Sequence, residues 1–204
     1  MIDNDLLKLH KSVFLDWKNK LGSVDSPQES FERWLFIQVS GVLFGGKTGE
    51  LLIVKKDFFS MPLDHCLIHT DSFCESWGLK HKLLVMTGGS LKFIVYREDA
   101  VNLRLKRASK KILHCHLRYP FGLNAQTFLH ELAKRWQENG RIPHEIGVAL
   151  GYPLKDVWGF MGLNKFRCSG SCGWQIFGDP EPSMKTRARY ADARKRAECL
   201  LRAA

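Results

Sequence analysis

Three groups of residues in this 204-residue chain have types and spacings that chemistry uses. The first, Gly41-Val42-Leu43-Phe44-Gly45-Gly46-Lys47-Thr48, fits the phosphate-binding loop G-x-x-x-x-G-K-T, in which backbone N–H groups cradle phosphates while the lysine and threonine meet phosphate and Mg²⁺. On that pattern Gly46, Lys47 and Thr48 would bind phosphate in a nucleotide-binding protein. The pattern also needs a long helix directly after it, and Gly49 followed by Leu51-Leu52-Ile53-Val54 is poor helix material. Val42, Leu43 and Phe44 suit burial better than a loop wrapped around a nucleotide. A glycine-bearing turn is the competing explanation.

The second group is His144-Glu145 with Gly151-Tyr152-Pro153. At a helix start, His144 has the chemistry of a general acid, base or ligand, and Glu145 complements the free N–H groups; simple capping explains the same residues. Residues 143–161 also have the spacing of a helix-turn-helix, with Gly147 small where the first helix packs and Gly151 at the turn. The second helix of that unit carries Leu154, Lys155, Asp156, Trp158 and Gly159, without an Arg, Asn or Gln for base edges, and Asp156 would repel phosphate. The third group is Cys168 and Cys172, separated by three residues, candidate thiolate ligands for a soft metal that lack a second Cys or His pair nearby in sequence. His65 with His69, and His114 with His116, supply no full metal site.

Elements that would position these residues follow from periodicity. Leu6, Leu7, Leu9, Val13, Phe14 and Trp17 predict a helix ending at Gly22, and Ser26-Pro27 with Glu29 predicts the capped start of a second. Residues 51–54 fit a strand or a buried helix. Residues 82–86 and 91–96 around Gly88-Gly89 predict a β-hairpin, with the glycines free to take positive φ. A cationic helix is expected through Val101, Leu105, Ala108 and Ile112, and a strongly amphipathic one from the Asn124 cap to Asn139-Gly140. Pro143 and Pro153 start short helices that Gly151 and Gly162 stop, 172–177 is a strand, and 183–204 is a basic helix capped by Ser183. The expected class is α/β in the α+β sense: one domain over 1–204, with a small hairpin-containing sheet packed by several helices.

Bulk properties bound the partners. The net charge of +10 is concentrated: residues 101–118 hold six bases and no acid, and residues 183–204 hold seven bases against two acids. Both are candidate surfaces for nucleic acid or another polyanion. The acidic start, Met1 to Asp5, lacks the plan of a secretory signal, and no apolar run is long enough to span a bilayer. A cytoplasmic protein without membrane insertion is expected, its six cysteines reduced.

The segment from Ile142 to Phe160, with Pro143-His144-Glu145 and Leu150-Gly151-Tyr152-Pro153, followed by Cys172-Gly173-Trp174 and Gly178-Asp179, resembles the bacterial domain-of-unknown-function family 3793. The resemblance is sharpest over residues 79–180. It carries no assigned activity or cofactor. It implies a binding or accessory protein linked to iron or redox metabolism rather than an enzyme, with His144, Glu145, Gly151, Tyr152, Pro153, Cys172, Trp174, Gly178 and Asp179 forming one surface. A nucleic-acid-binding regulator and a nucleotide-binding protein are the alternatives.

Overall fold

A computed structural model of the chain describes residues 4–21 and 26–203. Gly22 and the side chains of Leu6, Leu7 and Leu9 lie outside the described part. Four helices and a strand come first: α1 (Asn4–Lys20), α2 (Pro27–Gln38), α3 (Ser40–Phe44), β1 (Gly49–Lys55) and α4 (Leu63–Trp77). The hairpin β2 (Lys80–Thr87) and β3 (Ser90–Tyr96) precedes α5 (Glu98–Arg107), a π turn (Ile112–His116) and α6 (Ala125–Asn139). The chain then runs through α7 (Ile146–Ala149), α8 (Leu154–Phe160), β4 (Cys168–Ser171), β5 (Gln175–Phe177) and α9 (Glu181–Ala203).

Two antiparallel pairings make one sheet, ordered β1-β3-β2, and β4 with β5 makes a second, two-stranded one. Alternation along the central strand β3 splits the core. Leu91, Phe93 and Val95 join Phe14, Trp17, Phe36 and Phe73 from α1, α2 and α4 on one face. Ile94 and Tyr96 join Leu105, Phe128, Leu132 and Trp158 from α5, α6 and α8 on the other. Successive strand side chains point to opposite faces, so a strand buried on both sides must be apolar at nearly every position, as β3 is. The mixed α/β class therefore takes the form of an antiparallel sheet between two helical layers.

Several local expectations hold in atomic detail. Ser26 Oγ accepts from the Glu29 N–H at 3.0 Å, and Asn124 forms a capping box with Thr127 before Gly140 ends α6 at φ 64°. Residues 51–54 are strand. In β2 the register shifts at Leu84, and Gln137 Nε2 donates to the freed Leu84 carbonyl at 2.8 Å while the leucine fills the second core.

Others are corrected. Gly88 and Gly89 do not take positive φ; the hairpin turn is closed by Thr87 Oγ1, which accepts from the Ser90 N–H at 3.1 Å. The basic stretch is not one helix, because Ala108 turns extended at ψ 148° and Ser109 Oγ accepts from Ile112 N–H at 3.3 Å to start a separate turn. The terminal helix begins at Glu181, where the Asp179 carboxylate accepts from the Glu181 N–H; Ser183, inside the first turn, is buried and turned to another use.

Candidate functional site

The site is organised by a carboxylate that the sequence marked only as unhelpful. Pro153 opens α8 and puts Asp156 in its first turn, where β5 and the start of α9 close over it, leaving it 2% exposed. Its Oδ1 accepts from Lys155 Nζ at 2.7 Å and from the Phe177 N–H at 2.9 Å. Its Oδ2 accepts from Ser183 Oγ at 2.6 Å and from Trp174 Nε1 at 2.8 Å. Burial alone would raise the carboxyl's pKa, but these hydrogen bonds, led by Lys155, outweigh it and hold the group below its ordinary value. With all four donors in place, Asp156 is an ionised anchor rather than a proton acceptor.

That anchor fixes Trp174, and Tyr152 stacks on the indole with centroids 4.6 Å apart and planes 16° apart. An offset aromatic pair of this kind contributes about 0.5–1.5 kcal/mol beyond its buried area. Glycines let the elements approach. A Cβ on Gly159 would sit 2.2 Å from the Phe177 ring, and one on Gly147 would sit 2.9 Å from Val157 Cγ2. Helix α8 thus meets β5 through Asp156 and Gly159, while Val157 and Trp158 are buried in the second core.

The Tyr152–Trp174 pair separates two cavities. On one side, about 200 Å³ is lined by Ile142, His144, Gly147, Val157 and Phe160 together with the pair itself. His144 is exposed at this cavity and meets the Phe160 ring edge-on at 4.8 Å. On the other side, about 220 Å³ is lined by polar groups that include Lys47, Glu50, Cys172, Arg187 and Tyr190. Tyr190 OH donates to the Gly151 carbonyl at 3.0 Å, tying α9 to the turn between α7 and α8.

The candidate residues divide accordingly. His144, Tyr152 and Trp174 share the first cavity, and Cys172 lies on the second with its thiol pKa raised by burial. Glu145, next to His144 in sequence, points into the core, where its carboxylate accepts from Tyr119 OH at 3.0 Å and from Arg135 at 3.4 Å. Gly151 is required at φ 81° because a Cβ there would lie 3.0 Å from the Thr48 nitrogen. Gly178, at φ 71°, packs on Phe166, and Asp179 is exposed at the start of α9 rather than in either cavity.

The segment Gly41–Thr48 runs helix, turn, strand, the reverse of the strand, loop, helix order a phosphate-binding loop requires. Lys47, 8% exposed, pairs with Glu50 at 2.6 Å and lies over the Tyr152 and Tyr190 rings at 5.8 and 5.4 Å. Thr48 Oγ1 donates to the Ala149 carbonyl at 2.6 Å, and Gly46 makes the turn at φ 67°. All six cysteines are free thiols, Cys168 exposed and Cys172 half-buried. Among the described residues, no three His, Cys, Asp or Glu side chains are grouped to hold a metal ion, and no helix is long and apolar enough to cross a membrane.

Fold and site together define a mixed α/β protein with an aromatic wall between an apolar and a polar cavity. The chain belongs to the DUF3793 family, described as proteins of unknown function, whose model matches residues 35–204. That match starts well before the hairpin and extends through α9, so it covers more than the region of sharpest resemblance. No curated protein and no solved structure matches the chain.

Proposed function

We propose that the chain is a binding protein whose site is the apolar cavity beside the Tyr152–Trp174 stack, and that it seats a small, flat, mainly apolar group. One observation carries this reading. Trp174 is held by a saturated, buried carboxylate while it and the stacked Tyr152 line an open cavity of about 200 Å³. A pre-ordered aromatic wall loses little conformational entropy on binding, and an apolar space near 150 Å³ is enough for a benzene ring. The carboxylate beside the cavity suits an anchor rather than a base, since the lone pairs of Asp156 are taken by four donors.

The test is calorimetric titration with indole. Binding of indole, weakened at least tenfold by Trp174→Leu and a few-fold by His144→Ala with unchanged far-UV dichroism, is the expected result. No binding, or equal binding by Trp174→Leu, overturns it. The free thiols suit a reducing, cytoplasmic setting. The link to iron or redox metabolism rests on the family resemblance, with Cys168 and Cys172 as its candidate ligands. Metal and absorbance analysis of protein purified without oxygen tests it.

A further inference from the structure

The two basic stretches, about 80 residues apart in sequence, meet. Arg104 and Arg107 on α5 and Arg189 on α9 face one cleft of about 390 Å³, which Gly46, Thr48 and Pro153 also line. No carboxylate lines this cleft. Among the described residues none lies within 4.0 Å of the three guanidiniums.

Of the three, Arg104 is the one with a buried nitrogen left without a partner. One of its terminal nitrogens donates to the Tyr152 carbonyl, but its buried Nε has no hydrogen-bond partner. Burial, with repulsion from Arg107, holds its pKa below the ordinary guanidinium value, partly offset by Tyr190. Three like charges around one concave space repel each other, and a half-buried guanidinium without a counter-charge is costly. An anion in the cleft removes both penalties.

The hydroxyls of the lining narrow the chemistry. Thr48 and Tyr190 donate to the Ala149 and Gly151 carbonyls, and Thr186 donates to the Pro182 carbonyl. Their protons are spent on the backbone, so the planar guanidinium forks are the available side-chain donors, a geometry suited to phosphate oxygens. Concavity and three converging charges favour a compact ligand with several negative charges over a long polyanion laid across a surface. We propose that the Arg104–Arg107–Arg189 cleft is a binding site for a diphosphate group, free or carried on a small organic molecule. It stands apart from the apolar cavity and does not depend on the function proposed for that cavity.

Titration calorimetry with inorganic diphosphate, with adenosine diphosphate and with single-stranded DNA and RNA 20-mers, at 50 and 200 mM NaCl, tests the site. Arg107→Ala and Arg189→Ala are the variants, because both side chains are exposed and their loss lightens a like-charge cluster, leaving thermal stability unchanged or raised. Diphosphate binding that weakens at least tenfold in each variant and falls with salt is the expected result. Equal binding of both diphosphates assigns the anion alone; tighter binding of the nucleotide assigns the carried group. No diphosphate binding at 50 mM NaCl, binding unaltered by both variants, or oligonucleotides bound more tightly than either diphosphate overturns the proposal.

Discussion

Replacing Asp156 with Asn separates an ionised anchor from a merely buried polar group. The carboxylate accepts four hydrogen bonds at 2.6–2.9 Å, one of them from an ammonium group. An amide keeps one oxygen and presents an NH₂ group to donors, so about two of the four bonds are lost. Each such bond to a charged acceptor contributes about 1.5–3 kcal/mol, and breaking a buried ion pair costs about 3–5 kcal/mol. Lys155, its side chain 21% exposed, recovers some of this by hydration, so the expected loss is about 3 kcal/mol, or roughly 6–12 °C in Tm for a chain of this length. Urea unfolding followed by far-UV dichroism measures it. Asp156 titrates below its ordinary 3.8 in the fold, so the anchor's contribution is complete above that value and disappears as pH falls through the lower folded pKa. The gap between wild type and Asp156→Asn is therefore constant from pH 7 to about pH 5, and narrows only as pH falls below the ordinary 3.8 towards the lower folded pKa. A loss under about 1 kcal/mol at pH 7, or a gap that widens in acid, refutes the reasoning.

Two further outcomes follow from the same structure. Burial raises the Glu50 pKa against the opposing pull of Lys47, and Lys47→Met removes that pull. The variant should lose about 2 kcal/mol at pH 7. A carboxyl raised by folding stabilises below its unfolded value, here about 4.5, and loses that contribution as pH rises, so the deficit should shrink in acid and largely vanish in Lys47→Met/Glu50→Gln. Unfolding curves at pH 5 and pH 7 check this. Thiol labelling gives the second outcome: Cys115, Cys168 and Cys199 are exposed, whereas burial pushes the Cys66 and Cys74 thiols up to about 11 and about 12. With Ellman's reagent at pH 8, the exposed three should react quickly, Cys172 more slowly, and Cys66 and Cys74 only on unfolding. Fast reaction of all six would contradict the packing.

Local chemistry was legible where a few neighbouring residues decide it. The Ser26 and Asn124 caps, the Gly140 stop and the hairpin needed only their own side chains and the strand period. The approach of Tyr152 to Trp174 could be anticipated because both belong to blocks dense in special residues, and the two basic stretches stood out by charge. What escaped was decided across the fold. Asp156 draws three of its four donors from residues 18 to 27 positions away, so the adjacent Lys155 alone does not announce an anchor. Glu145 and His144 are adjacent yet point to the core and to the cavity, because a turn carries them and the helix expected from Pro143 begins only at Ile146. The Gly41–Thr48 pattern fixes spacing but not which element precedes the turn; the run Leu51-Leu52-Ile53-Val54 after it was the signal of a strand. The helix expected through Ile112 fails at Ala108, where periodicity continues although the backbone does not.

The central claim is that Trp174, anchored by Asp156 and stacked on Tyr152, forms the wall of a ligand-binding cavity. The indole N–H resonance of Trp174 in ¹⁵N-labelled protein, assigned with Trp174→Leu, reports on that wall directly. This proton should exchange slowly with solvent, and its resonance, with the amides of Gly147 and Gln175, should shift on titration with indole. A Trp174 N–H that exchanges freely, or that stays unmoved while indole shifts resonances elsewhere, would contradict that claim.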